Sequence, residues 1–262
     1  MISSDNEGQI LAMAIDPIEK KPLFEFYPGS TILSIGTFGC NLACPWCQNH
    51  ALISSRSSSN TTTPTLAVLA SELLNRAIAN HVLGIAFTYN EPLLWHHTVM
   101  EISKTFKAHG LKTVMVSNGC AQLHIVEKLL PLIDAWNVDL KTTSAADYRA
   151  IHGDLNTVLA TIKAIIAHGA HLEVTYLIVP NFNDSKAALL QLADIIFELG
   201  VPVLHLTRYF PAHRCNEAPT SEKTMNEALE LVKSRLKECH QRETTKTHTS
   251  VYLGNCSWVH NL

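Results

Sequence analysis

Charge is scarce in this chain. Only 16% of its 262 residues are Asp, Glu, Lys or Arg, aromatics make up 7%, and the formal net charge is -3. No run of like charges interrupts the sequence, so the electrostatic footprint that nucleic acid or an anionic lipid surface requires is missing and neither partner is expected. Missing too is an apolar stretch long enough to cross a bilayer, so no membrane association is expected. The opening Met1-Ile2-Ser3-Ser4-Asp5-Asn6-Glu7 lacks the basic-then-apolar order of a secretory leader. A cytoplasmic protein is therefore expected. In that compartment seven cysteines read as ligands or buried thiols rather than as disulfides.

What the chain does have is apolar residues, 47% of the total, enough to bury a full core in a single α/β domain. It also has three cysteines in one short segment, Gly39-Cys40-Asn41-Leu42-Ala43-Cys44-Pro45-Trp46-Cys47. Thiolates spaced Cys-x3-Cys-x2-Cys lie close enough to share one metal centre. A 4Fe-4S cluster normally takes four thiolates, so three local ligands would leave one iron open to a small molecule. The competing reading is a closed structural zinc site with His50 as the fourth ligand. Cys120, Cys215, Cys239 and Cys256 are scattered and are expected to be packing residues. The fourteen histidines show no ligand spacing.

Short runs rich in Val, Ile and Leu alternate with stretches whose apolar residues recur at helical spacing. Strands are expected at 31–36, 84–88, 112–117, 134–139, 172–179, 203–208 and 251–253, and helices at 65–80, 94–109, 122–131, 156–168, 184–199 and 221–238. This alternation is the pattern of parallel βαβ units. Polar clusters fall at the carboxyl ends of six strands: the cysteine loop, Tyr89-Asn90-Glu91-Pro92, Ser117-Asn118-Gly119, Asp139-Leu140-Lys141, Pro180-Asn181 and Arg208-Tyr209. In a barrel those ends share one mouth, whereas in an open doubly wound sheet only strands beside the switch point do. Six βα units are two short of a closed barrel, so the expected fold is α/β, a partial (β/α)6 TIM-like barrel. Residues 1–30 are expected to be an extension packing on the barrel, and 31–262 the core domain with a C-terminal strand. Residues 54–65 read as a polar loop after the cysteines, and 241–249 as a surface loop.

The cysteine spacing, the aromatic Trp46 before the last cysteine and a Glu-Pro after the next strand resemble radical S-adenosylmethionine (radical SAM) enzymes. Five further segments resemble more narrowly the AmmeMemoRadiSam-system radical SAM enzymes, relatives of pyruvate formate-lyase activating enzyme: residues 16–23, Gly39-Cys40-Asn41 through Cys47-Gln48-Asn49, Thr88 to Pro92, Asn137 to Lys141 and Tyr252 to Asn255. The resemblance spans about residues 12 to 255. It implies the radical SAM fold, with a 4Fe-4S cluster on Cys40, Cys44 and Cys47 whose open iron chelates S-adenosyl-L-methionine. Fuller members of the narrower family carry a further cysteine-bearing segment ahead of the part matched here, which this chain is expected to lack. No second cluster is expected at Cys256.

Within that resemblance, Trp46 would stack on the adenine, although ordinary packing explains it equally well. Glu91 would accept from the cofactor's ammonium group, or merely cap a turn. Tyr89-Asn90 replaces two glycines of the wider family, which puts a close backbone approach there in question. Ser117 and Asn118 would reach the ribose hydroxyls, or form a Ser-Asn-Gly turn. Asp139 and Lys141 alternate on a strand and share a face, where lysine would neutralise the cofactor carboxylate. His205, Arg208 and Tyr209 end the sixth strand and touch the cofactor or substrate only if the register is right, since one residue of slip turns them outward. The expected activity is reductive cleavage of S-adenosylmethionine to a 5'-deoxyadenosyl radical that abstracts hydrogen from a substrate, either a small molecule or a partner protein. The alternative within enzymes is a glycyl-radical-enzyme activase, and the alternative outside them is a zinc-stabilised binding module. A low-potential electron donor such as flavodoxin or ferredoxin is the implied partner.

Overall fold

The structure, a computed structural model, describes residues 6–55, 65–243 and 246–255. Most of the expected loop at 54–65 lies outside the described residues, as does Cys256. Eight strands form one sheet in chain order: β1 (Ala12–Pro17), β2 (Thr31–Gly36), β3 (Gly84–Phe87), β4 (Lys112–Ser117), β5 (Ala135–Asp139), β6 (His171–Ile178), β7 (Val203–Arg208) and β8 (Ser250–Asn255). Strands β2 to β8 are parallel, and β1 runs antiparallel along β2. The helices are α1 (His50–Ser54), α2 (Leu66–Ala79), α3 (His96–Ala108), α4 (Leu123–Leu129), α5 (Ala145–Ala150), α6 (Leu155–His168), α7 (Lys186–Leu199) and α8 (Glu222–Arg242). Six βα units followed by β8 make the partial barrel expected. Among the described residues no ladder joins β1 to β8.

Local chemistry sets the helix boundaries. Asp154 accepts from the Thr157 backbone N–H at 2.8 Å to start α6, and Ser185 and Ser221 cap α7 and α8 in the same way. Each such cap contributes about 1 kcal/mol. Helices α6 and α7 stop at Gly169 and Gly200, whose φ of 79° and 69° lies where a side chain is disfavoured. Helix α8 runs four residues past the expected 238 because Val232, Leu236 and Cys239 keep its buried stripe going.

The two faces of the sheet differ in kind. Outward residues such as Leu33, Ile85, Phe87, Met115, Trp136, Val174, Tyr176 and Leu204 pack with the helices into one continuous apolar core. A second, small cluster lies inside: Ile32, Ala86, Val114 and Ala135 meet Ile18, Leu23 and Phe26. Residues 12–30 therefore do more than pack on the barrel: they add β1 as an edge strand and send the segment after it inside as a plug. Asn137 donates to the Pro22 carbonyl at 2.8 Å, and Glu173 accepts from the Phe24 and Glu25 N–H groups at 2.9 Å each. Beyond the plug the inner face turns polar and opens into a cavity.

Candidate functional site

The cavity, about 530 Å³, is lined by the cysteine loop, by inward residues of β4 to β8 and by the plug. Asn90 fastens the loop from the side: its side-chain carbonyl accepts from Thr37 N–H, and its amide donates to the Phe38 and Gly39 carbonyls at 3.0 Å each. Asn41 donates to the Cys120 carbonyl at 2.6 Å, and the Ala43 N–H donates to the Ile151 carbonyl at 3.0 Å. Cys40, Cys44 and Cys47 are partly buried and all face the cavity. Burial, with the Glu91 carboxylate adding to it, pushes the Cys40 thiol up to about 12. Burial raises Cys44 and Cys47 as well, while the Lys141 ammonium pulls the other way on both. As free thiols they hold their protons at neutral pH, so a metal that binds them must displace protons.

The donor set fits an iron–sulfur cube better than a single ion. A zinc tetrahedron needs every ligand within about 2.0–2.3 Å of one point. Among the described residues no three His, Cys, Asp or Glu side chains gather in that way. The ring of His50 has Nδ1 3.3 Å from the Cys47 carbonyl and stacks on His213 at 4.7 Å. Three soft sulfurs facing one cavity suit the corners of a cube.

Glu91 is fully buried beside them. Its carboxylate accepts from Leu93 N–H at 3.0 Å, Ser117 Oγ at 2.8 Å and Asn118 N–H at 2.8 Å. Burial outweighs those donors, with Asp139 adding repulsion, and lifts its carboxyl to about 7. Ser117 and Asn118 thus come to the site with their polar atoms engaged. The Ser117 hydroxyl serves Glu91, and the Asn118 amide bonds Asn41 at 2.8 Å and approaches Cys40 Sγ at 3.7 Å. Their visible work is to tie Glu91 to the cysteine loop.

Asp139 at the end of β5 and Lys141 just beyond the strand both line the cavity, with Nζ 2.9 Å from Oδ2. Burial would strip the lysine of its proton; the Asp139 carboxylate beside it holds it on. Trp46 also lines the cavity, but it is buried and packs on Phe182 at a ring separation of 4.5 Å. Arg208 corrects the expectation. Its neighbours on the inner face of β7 are His205 and Thr207, so alternation turns Arg208 outward, where Nε donates to the Thr220 carbonyl at 2.6 Å and the guanidinium covers Phe210. Tyr209 is likewise absent from the lining and donates its hydroxyl to the Cys215 carbonyl. Of the three residues ending that strand, His205 alone reaches the cavity.

Two features escaped the sequence. Tyr89 adopts φ 71°, the left-handed conformation that a glycine would supply at this turn. A non-glycine there costs on the order of 1–3 kcal/mol. Its hydroxyl donates to Asp16 at 3.0 Å, Lys21 lies 4.9 Å over its ring, and Asn49 holds its carbonyl at 2.7 Å. Burial would raise the Asp16 carboxyl, but the Lys21 ammonium 2.8 Å away, together with Lys20, holds it well below the usual range. The other feature is Glu173, whose buried carboxylate takes His171, His205 and two backbone N–H groups. Burial would raise it; those four donors bring it down to about 2. A charged residue inside the apolar run of β6 was its only signal.

Comparison with known proteins points the same way. Residues 34–193, more than half of the chain, match the Radical SAM superfamily. An uncharacterised protein of Methanocaldococcus jannaschii is 34% identical over 229 residues, covering 87% of this chain and 66% of that protein. A pyruvate formate-lyase-activating enzyme of Clostridium pasteurianum is 26% identical over 165 residues, 60% of this chain and 66% of its own. Streptococcus suis SuiB, solved bound to S-adenosylmethionine, superposes with a TM-score of 0.65 at 15% identity, covering 85% of this chain and 51% of SuiB. The chain thus spans less than two thirds of the length of each. The match begins inside β2 and runs through the cysteine loop and the next four strands, and on that stretch the protein belongs to the Radical SAM superfamily.

Proposed function

We propose that the chain is a radical enzyme that holds a 4Fe-4S cluster on Cys40, Cys44 and Cys47 with one iron left for S-adenosylmethionine, and that it takes a hydrogen atom from a substrate in the cavity. The carrying observation is the set of three thiols on one cavity wall, beside a fully buried carboxylate and an Asp-Lys pair. Cluster and S-adenosylmethionine together would supply one-electron cleavage of the sulfonium and a 5'-deoxyadenosyl radical. The residues do the rest. Glu91, lifted by burial, would accept from an ammonium group whose charge would keep it ionised. Lys141 would meet a carboxylate while Asp139 holds it. Trp46 would offer an edge to the adenine, and Ser117 and Asn118 would keep Glu91 and the cysteine loop in register with the ribose. The cavity would hold the intended C–H bond close and keep bystander C–H bonds away, which a reactive radical demands.

Within the superfamily, residues 16–23 and 88–92 support the narrower AmmeMemoRadiSam kinship: Asp16, Lys21 and Tyr89 from those segments meet at the cavity. The likeness to a pyruvate formate-lyase-activating enzyme supports a second reading, an activase that installs a glycyl radical on a partner protein. A small reduced protein such as flavodoxin or ferredoxin would deliver the electron, and the reducing cytoplasm suits a cluster of this kind. Anaerobic reconstitution is the test: about four iron and four sulfide per chain, then 5'-deoxyadenosine on reduction with S-adenosylmethionine. A colourless protein with one tightly held zinc would sink the reading, and radical transfer to a glycyl-radical partner would select the activase.

A further inference from the structure

The β6 to β8 wall of the cavity has no role in the assignments above. One inward row runs across the sheet as Asp139, Thr175, His205 and Tyr252, and the next as Leu177, Thr207 and Gly254. All but Tyr252 line the cavity. A Cβ on Gly254 would come 3.1 Å from Thr207 Cγ2, so the glycine keeps that wall open. His205 is completely buried and held on three sides: Nε2 bonds Glu173, Phe24 meets the ring edge-on at 4.6 Å, and Tyr252 lies nearly parallel at 5.6 Å.

The proton of that bond can be assigned. Glu173 also accepts from His171 and from two backbone N–H groups, a set that keeps it an ionised, acceptor-only carboxylate. The shared proton therefore belongs to His205 Nε2, and with no acceptor facing Nδ1 the ring is assigned the tautomer in which Nδ1 carries a bare lone pair. Nδ1 is buried and has no partner in the protein. A buried polar atom left unpaired is unfavourable, and on a residue that lines the cavity it can be met by a guest.

We propose that this wall is the substrate subsite, where His205 Nδ1 accepts a hydrogen bond from a hydroxyl or amino group of a small polar substrate. The inference rests on the reading of the cavity as the reaction site. Glu173 is the positioning residue, fixing which nitrogen is bare. An anionic substrate group is the wrong occupant, because the lone pair and the carboxylate behind the ring both repel it.

Nitrogen-15 spectra of the histidine side chains in the full, cluster-free chain test this, with His205 assigned by the signals lost in His205→Asn. The expected result is a proton on Nε2 and a bare Nδ1 that ethanolamine or glycerol shifts saturably and acetate does not. In Glu173→Gln the two tautomers should mix. A proton on Nδ1, a shift by acetate alone, or no shift by either donor overturns the proposal. Should Glu173→Gln fail to fold, the wild-type tautomer and titrations still decide it. No cluster or S-adenosylmethionine enters this readout, so its failure is distinct from failure of the radical reading, which iron content and 5'-deoxyadenosine test.

Discussion

Glu91 and Glu173 are both fully buried carboxylates on one barrel, yet burial wins at Glu91 and is beaten at Glu173. Glu91 takes one hydroxyl and two backbone N–H groups and feels Asp139; Glu173 takes two backbone N–H groups and two imidazoles. The number of donors is close, three against four. What separates the two is the imidazole pair at Glu173 and the second carboxylate near Glu91. The cysteine side of the cavity thus keeps an acid short of positive charge, as suits a site awaiting a cationic ligand. On the histidine side, His205 Nδ1 is left without a partner among the described residues.

The largest expected effect falls on the cysteine side. Replacing Cys40, Cys44 or Cys47 by Ala should drop reconstituted iron from about four per chain to background and abolish 5'-deoxyadenosine, while His50→Ala leaves the iron count unchanged. Next comes Glu173→Ala, which strands two imidazoles and should cost about 3–5 kcal/mol in urea unfolding. In the wild type that carboxylate's contribution is fully present above pH about 4.5 and lost as pH falls toward about 2, because its folded value is depressed. The variant should lose that slope.

Glu91 should behave with the opposite sign. Its folded value is raised, so the cluster-free chain holds an extra proton between about 4.5 and about 7 and grows less stable as pH rises through that window, by about 3 kcal/mol in all. Glu91→Gln should flatten the slope and, in the loaded protein, weaken S-adenosylmethionine binding by about tenfold to a hundredfold, read by calorimetry. A wild-type slope that rises across this window would break the comparison. Arg208→Ala should do least, under about 1 kcal/mol and no change in S-adenosylmethionine affinity, since its guanidinium bonds a carbonyl outside the cavity.

The outer layer of this fold was legible in the sequence, because helix periodicity and Val/Ile/Leu runs report burial directly. Strands 31–36, 112–117 and 203–208 agree with β2, β4 and β7 to the residue. The inner face was not, because inside a barrel mouth polar residues replace the alternation that marks a strand. Ala12–Pro17 was passed over for that reason: its inward Asp16 and terminal proline resemble loop chemistry. The cysteines, Glu91, Asp139 and Lys141 were found at strand ends, where their residue types are hard to explain otherwise. Arg208 was misplaced by parity alone, and Glu173 and His205 were left unjoined because 32 residues separate a contact that only the sheet register brings together.

The floor under the cavity is made by a short excursion between two strands rather than by the barrel itself. Ile18, Leu23 and Phe26 anchor that stretch, while Lys21 and Phe24 face the chamber. A change of length or bulk there would deepen or fill the room available to a guest without altering the cysteine loop or the ladders from β2 to β8. The residues that shape the floor of the room and those of the cysteine loop are thereby carried on separate parts of the chain.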